Sequence, residues 1–464
     1  MKRALCGAAL FLAACSPKPD VALDIRLPDD RRLLAAVSAL NLSAERDDHV
    51  LAQRRFSAGG ARYLSLSGVT EGPRTVLTLE GVTASGDVQA RGQSCPFDFA
   101  GRGETAAIYF APTNFFGPTV GTPLEQRDDP LVLALADGTV LLAGGIDMLN
   151  EQALTNAELY SPSTSRFTLA PLALNQAREN SQLVPVDGVG ALVVGGSDAN
   201  RAPIGSSEVY LASNGSFIAF ENDLLGPRMG HRVVVLPDGR VLVTGGVAVT
   251  GGAPLASTAL VKVQSDGTAT VDAGPPMNVS RRDHAAVVAI GIAVVIGGYD
   301  ASGSPTASIE ALVPDSDGDG SPTAWSEISA LRQPRADATA TLLQDGTILV
   351  VGGAIDSART PAGDAEVYNP ITRETTSYAL GTARRRHSAT LLPDGRVLVV
   401  GGVGSDQMPL SSVELFVPGV GFVSERSLGT PRASHVAVPL CDGTVLVVGG
   451  GPGAELYTPS GTSG

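Results

Sequence analysis

Four of the five histidines in this 464-residue chain could in principle bind a metal or transfer a proton. Each stands three residues after an arginine, at one position of a sequence repeat: His231, His284, His387 and His435. Equivalent positions on neighbouring packed sheets lie on the order of 10 Å apart. Zinc ligands must each approach within about 2 Å of one ion. We therefore expect these histidines to pack or to hydrogen-bond within the repeats, not to form a metal centre.

A second group of potential ligands is acidic. Asp315, Asp317 and Asp319 alternate along the chain before Gly320, which is the spacing of oxygen ligands that opens a calcium loop. The position at which such a loop would place its bidentate Glu is Ser326. Two interpretations stay open, namely a calcium site and a solvated acidic hairpin loop. Calcium is the one cofactor that the sequence suggests.

The N-terminus carries a targeting signal. Lys2 and Arg3 precede an apolar stretch from 4 to 14 that is too short to span a membrane. Leu12-Ala13-Ala14-Cys15 resembles the bacterial lipobox, and the resemblance implies cleavage after residue 14 and lipidation of Cys15. Because Ser16 follows, it also implies a lipid-anchored protein of the bacterial cell envelope, sorted to the outer membrane. The alternatives are an ordinary secretory peptide cleaved nearby and a short buried segment.

Export would permit a disulfide between the other two cysteines of the mature chain, Cys95 and Cys441. Cys441 lies in a predicted hairpin turn near the C-terminus, and Cys95 lies shortly before a predicted strand. Such a bond would fix the N-terminal region to the end of the repeat domain. Two unpaired thiols are the alternative.

Charge excludes one class of partner. The formal net charge is −14, and it becomes −16 without the first fourteen residues, which hold two of the basic residues and no acid. Such a chain repels phosphate backbones. No basic run offsets this charge, so we expect no nucleic acid partner.

Sequence repeats predict the strands that position these residues. Seven glycine pairs end apolar runs, most of which follow an Asp-Gly turn of the kind that joins two strands of a hairpin. An arginine precedes each pair by sixteen or seventeen residues, and Glu-x-aromatic usually follows it. The pairs are Gly144-Gly145, Gly195-Gly196, Gly245-Gly246, Gly297-Gly298, Gly352-Gly353, Gly401-Gly402 and Gly449-Gly450; the arginines are Arg127, Arg178, Arg228, Arg281, Arg335, Arg384 and Arg432.

This order of marks, with its period of about fifty residues, resembles the kelch repeat. The resemblance implies an all-β fold, a seven-bladed kelch-type β-propeller over residues 105–464. We predict that a strand at 106–112, around Ala107 to Phe110, completes the last blade and closes the ring. Residues 15–104 lack the marks and show alternating strand-length runs, which favours a small β-sandwich-like domain before the propeller.

Kelch-type enzymes offer two analogues, the copper radical oxidase (galactose oxidase) and the sialic acid mutarotase. The oxidase needs a Cys cross-linked to a Tyr, together with a second Tyr and two His on copper, and neither Cys95 nor Cys441 has such a setting. No mutarotase motif, nucleophile elbow or phosphate-binding loop maps onto the chain. We find no catalytic constellation.

The expected function is therefore recognition of a protein, a peptide or a glycan through one face of the propeller. The variable segments after the glycine pairs, such as 146–157 and 247–257, are rich in polar residues and would form much of that face. The repeated arginines are expected to pair with the repeated glutamates, and some of them could line the mouth of the central channel. An enzyme acting on a carbohydrate, of oxidase or epimerase type, is the alternative.

Overall fold

In the computed structural model, residues 20–27, 35–58, 64–101, 103–219, 226–314 and 322–460 are described. Every helix or strand element within these ranges is a β-strand. No helix among them is long and apolar enough to cross a membrane. Cys15 and the acidic triplet Asp315, Asp317 and Asp319 fall outside the described residues.

The N-terminal region forms two sheets around one apolar core. Its strands are β1 (Asp20–Arg26), β2 (Ala39–Arg46), β3 (His49–Ser57), β4 (Ser65–Ser67), β5 (Gly72–Val82), β6 (Val88–Gln93), β7 (Phe97–Phe99), β8 (Glu104–Tyr109) and β9 (Ala111–Pro112). One sheet has the order β4-β1-β8, and the other has the order β3-β2-β5-β6-β9 with β7 beside β5. Buried side chains of both sheets, Val21 and Leu79 among them, fill the space between.

The remaining described residues form seven four-stranded antiparallel sheets and one small two-stranded pair, β11 (Arg127–Asp128) with β14 (Ile146–Asp147). From the first strand outward, six of the sheets are β12 (Leu131–Ala134), β13 (Val140–Ala143), β15 (Ala157–Ser161), β16 (Arg166–Leu169); β17 (Gln182–Val186), β18 (Gly190–Val194), β19 (Ser207–Leu211), β20 (Ser216–Ala219); β21 (Arg232–Val235), β22 (Val241–Thr244), β23 (Thr258–Val263), β24 (Ala269–Gly274); β25 (Ala285–Ala289), β26 (Ile292–Ile296), β27 (Ser308–Pro314), β28 (Pro322–Ala330); β29 (Thr339–Leu342), β30 (Ile348–Val351), β31 (Asp364–Tyr368), β32 (Thr375–Ala379); and β33 (Ser388–Leu391), β34 (Val397–Val400), β35 (Val413–Val417), β36 (Gly421–Glu425). The last sheet consists of β37 (Val436–Pro439), β38 (Val445–Val448), β39 (Ala454–Thr458) and β10 (Phe115–Pro118).

Apolar side chains on both faces explain how the sheets pack. The second strand of each sheet is an unbroken apolar or nearly apolar run, such as Val397–Val400, and it is buried along almost its whole length. A strand that buries both faces needs a packed sheet on either side. The first strand of each sheet contacts the first strand of the next, and β37 contacts β12, so the sheets form a closed circle. This is the arrangement of a β-propeller.

The closing strand differs from the predicted one. β10, not 106–112, pairs with β39 and completes the last sheet, with Phe116 opposite Tyr457 and their ring centroids 4.8 Å apart. The predicted segment instead falls mainly in β8, which pairs with β1 in parallel, and Ala106 and Ile108 point into the N-terminal core. Because both segments contain a pair of adjacent aromatic residues, composition did not distinguish them. The N-terminal sheets therefore extend past residue 104, to Pro112.

A disulfide between Cys95 and Cys441 joins the N-terminal region to the turn between β37 and β38. The bond spans 346 residues of sequence, and its Cα atoms are 4.8 Å apart. It links the two parts of the chain at the sheet that β10 closes.

Replacing Cys441 with Ser is expected to lower the free energy of unfolding by about 2–5 kcal/mol, since the bond restrains the unfolded chain. Thermal unfolding with and without reductant measures the effect. Cys95→Ser and the double variant should give the same loss as Cys441→Ser, because all three remove one bond. A double variant that unfolds at the same temperature as the wild type would contradict a stabilising role for the disulfide.

Candidate functional site at the mouth of the ring

The repeated glycine pairs and arginines join each sheet to the next. In every repeat, Arg Nη1 donates a hydrogen bond to the carbonyl of the first glycine in the same repeat. The second glycine N–H then donates to the carbonyl of the following arginine, over 2.7–2.9 Å in all seven cases, from Gly145 with Arg178 round to Gly450 with Arg127. Both glycines have positive φ in every pair. We call this arrangement the Gly-Arg latch.

Among the described residues, buried carboxylates hold six of the latch arginines. The pairs are Arg127 with Glu158, Arg178 with Glu208, Arg281 with Glu310, Arg335 with Glu366, Arg384 with Glu414 and Arg432 with Glu455. Each glutamate also accepts two backbone N–H groups, as Glu366 does from Arg332 and Gln333. The third repeat has Ala259 at this position. The arginine-glutamate pairing predicted from the repeat thus serves the fold.

The four repeat histidines are buried between sheets. Nε2 of His284, His387 and His435 lies 2.8–3.0 Å from the hydroxyl of Thr244, Thr339 or Ser388 in the preceding sheet. Burial, together with nearby arginines, lowers the pKa of His231 and of His435 to about 3. The imidazoles are therefore neutral, and those of His284, His387 and His435 bridge neighbouring sheets. Among the described residues, no cluster of three or more His, Cys, Asp or Glu is placed to hold a metal.

A ring of seven residues surrounds the channel entrance, each two residues after a latch arginine. Its members all have φ between +51° and +67°: Asp129, Asn180, Gly230, Asp283, Asp337, Arg386 and Ser434. Such φ values are uncommon for residues other than glycine. Backbone hydrogen bonds between described residues join five of the neighbouring pairs, as from Asp337 N to the Asp283 carbonyl at 2.9 Å. We call these residues the mouth ring.

The mouth ring opens into a cavity of about 800 Å³. Arg232 at the start of β21 also lines it, and the segments 251–254 and 300–303 that follow two glycine pairs form part of its wall. This volume lies within the range of small-molecule sites, about 300–1,000 Å³. The cavity is thus large enough for a ligand of several residues or sugar rings.

Acidic and basic side chains line this cavity together, and several of them form no ion pair with one another. Burial raises the pKa of Asp129 and of Asp337, the Asp283 charge raises both further, and Arg386 and Arg232 oppose the rise. Among the described residues, the Asp337 carboxylate accepts no hydrogen bond and the Arg386 guanidinium donates none. These groups are therefore available to a ligand.

An aromatic residue supports one side of the cavity. The Arg282 guanidinium lies 4.4 Å from the centroid of the Tyr299 ring and forms an ion pair with Asp283. Arg359 lies 6.0 Å from the same centroid. Burial raises the pKa of Tyr299 to about 12, so its hydroxyl is neutral. The cation–π contact with Tyr299 and the ion pair with Asp283 together hold the Arg282 guanidinium in place.

Replacing Asp337 with Asn is expected to raise the free energy of unfolding at neutral pH, within the range of about 0.5–2 kcal/mol that removal of a destabilising group commonly gives. Asn tolerates the positive φ and removes a buried charge next to Asp283. Because the pKa of Asp337 is higher in the folded protein than in the unfolded chain, the aspartate destabilises the fold at pH values where it is ionised. The gain should therefore be small in acid and grow as the pH rises past the ordinary titration range of aspartate. Denaturant unfolding at several pH values measures it, and a less stable variant at neutral pH would contradict this account.

Comparison with known proteins agrees with the ring of sheets. A solved structure of YjhT, a kelch-type propeller protein, superimposes with a TM-score of 0.50 at 14% identity, covering 66% of this chain and 99% of that one. The ring of seven sheets is a β-propeller. At this identity the likeness shows the fold alone. No protein-family model matches the chain, and no curated protein matches it.

The propeller brings together residues that sequence reasoning did not single out. The arginine and the histidine of Arg-x-x-His both serve the packing of the sheets, whereas the residue directly before the histidine lies at the mouth. That position holds Asp, Asn or Gly in five of seven repeats, the types that best tolerate positive φ. This preference was the available signal for the mouth ring.

Proposed function

We propose that the chain is a cell-envelope lipoprotein whose seven-bladed kelch-type propeller, preceded by a small β-sandwich-like domain, recognises a peptide, a protein or a glycan at the mouth ring. The observation that carries this proposal is the cavity of about 800 Å³ whose charged groups lack full hydrogen-bond partners. Burying polar groups without hydrogen-bond partners costs free energy. A ligand that supplies those partners at a concave site therefore binds favourably.

Anchoring through Cys15 would leave the mouth free. Val436 at the start of β37 lines the cavity, whereas the disulfide of Cys441 lies beyond the other end of that strand. The N-terminal sheets are thus attached at the face opposite the mouth. A lipid on Cys15 would hold that opposite face toward the membrane, and the disulfide suits an oxidising compartment.

A carbohydrate-active enzyme is the second candidate. Asp129 and Asp337 lie at one cavity with raised pKa values, and carboxyl groups of that kind can serve as general acids. Turnover of a sugar by the wild type, with loss of turnover in Asp129→Asn, would favour this candidate over simple recognition.

Peptide and glycan arrays with the chain from residue 16 onward test the recognition proposal. We expect saturable binding by the wild type and by Arg240→Gln, an exposed control at a hairpin turn on the opposite face, and weaker binding by Arg386→Gln. Arrays that stay blank, or equal binding by all three proteins, would overturn the mouth as the site. Loss of binding on chelation would implicate the Asp315 loop as a calcium site.

A further inference from the structure

The mouth cavity presents both signs of charge to one ligand. Arg386 acts electrostatically on Asp129 and on Asp337 without donating a hydrogen bond to either. Arg232 acts on the same two carboxylates, and its Nη1 donates to the backbone carbonyl of His231. These arginines and aspartates are therefore near enough to attract one another, but no hydrogen bond or ion pair joins them among the described residues.

Both kinds of group have hydrogen-bonding capacity left. Asp129 Oδ2 accepts the backbone N–H of Asn180 at 2.9 Å, which leaves its other oxygen. The whole Asp337 carboxylate and the whole Arg386 guanidinium are without hydrogen bonds among the described residues. Charge-assisted hydrogen bonds are roughly twice as strong as neutral ones. A ligand gains most by bringing an opposite charge to each kind of group.

Ligands with a single sign of charge fit this cavity poorly. An anion would meet Arg386 and Arg232 but would be repelled by the three carboxylates of the mouth ring. A cation would meet those carboxylates but would be repelled by the arginines, including Arg282 and Arg359 at the side of the cavity. A neutral sugar would hydrogen-bond with both kinds of group but would leave their charges uncompensated.

We propose that the mouth ring binds a zwitterion, a small molecule whose ammonium group lies against Asp337 and Asp129 and whose carboxylate lies against Arg386 and Arg232. This inference rests on the proposed function and defines its ligand class. Two sources share this chemistry, a short peptide with free termini and an amino-sugar acid, and both are within the size that the cavity admits.

Isothermal titration calorimetry with end-blocked ligands tests the proposal. The panel is a tripeptide with free termini, its N-acetylated form, its C-amidated form, and an amino-hexuronic acid with and without N-acetylation. We expect each block to weaken binding of the true ligand class at least tenfold, about 1.4 kcal/mol. Whichever unblocked compound binds identifies the source.

Variants assign each end of the ligand. In Arg386→Gln the penalty for C-amidation should shrink while the penalty for N-acetylation remains. In Asp337→Asn the reverse is expected, and Arg240→Gln should match the wild type.

The outcomes separate this proposal from the broader one. If blocked and unblocked ligands bind equally well and Arg386→Gln weakens them all, the mouth recognises ligands but the zwitterion proposal is wrong. If no compound binds here and the arrays also stay blank, both proposals fail. If only neutral glycans bind on the arrays, the zwitterion proposal alone fails.

Discussion

Replacing Arg335 with methionine is expected to lower the free energy of unfolding by about 3–5 kcal/mol, the cost of removing one partner of a buried ion pair. The side chains of Arg335 and Glu366 are both fully buried and lie 2.9 Å apart. Arg335 also donates to the carbonyls of Gly352 and Asp364. The variant leaves all of these acceptors without their charged donor, and chemical denaturation measures the loss.

An exposed pair provides the control. Arg240 and Asp238 form an ion pair at a hairpin turn, with side chains 27% and 47% exposed. Arg240→Met should change the free energy of unfolding by no more than about 1 kcal/mol. Equal losses in the two variants would show that burial of the latch arginine is not what makes it important.

Replacing Gly195 with alanine should have a comparably large effect, because it adds a Cβ inside the latch. That atom would lie 2.6 Å from the Arg228 carbonyl oxygen of the next sheet, at a residue whose φ is +53°. The positive φ costs about 1–2 kcal/mol and the close contact about 1–3 kcal/mol more. Thermal or denaturant unfolding would report the sum.

Gly188→Ala separates these two costs within the same sheet. Gly188 has φ +72° in the turn between β17 and β18, and no atom lies within 4 Å of its added Cβ. We expect this variant to show the backbone cost alone. If both variants lose the same stability, the glycine pairs are conformational and do not make a steric latch.

Much of this architecture could be predicted from local chemistry. The glycine pairs, the Asp-Gly turns and the apolar runs recur because each sheet meets the same packing problem, so the repeat marks predicted the sheets and the pairing of arginine with glutamate. Besides the lipidation candidate Cys15, the predicted mature chain holds two cysteines, so a disulfide between Cys95 and Cys441 could be predicted. The closing strand was misplaced because Tyr109-Phe110 and Phe115-Phe116 are both apolar aromatic pairs. Two pairings that join residues far apart in sequence distinguish them, β8 with β1 and β10 with β39.

The candidate site was less predictable. Its charged groups come from different repeats, with Asp129, Arg232, Asp337 and Arg386 spread over more than 250 residues. They meet because the ring places equivalent positions around one entrance. No single repeat contains this combination of charges. In the sequence, the differences between repeats that create it resemble ordinary departures from a repeat consensus.

Blocking the mouth chemically tests the central claim, that recognition occurs there. Ala301→Cys places a thiol on the cavity wall, and Ser213→Cys places one at an exposed turn between β19 and β20, outside the cavity. In the chain from residue 16 onward, the remaining cysteines form the disulfide. Each variant is labelled with a bulky maleimide, and its binding is measured against the ligand that the arrays identify. We predict that the label abolishes binding in Ala301→Cys and leaves it unchanged in Ser213→Cys; full binding by labelled Ala301→Cys would contradict the account.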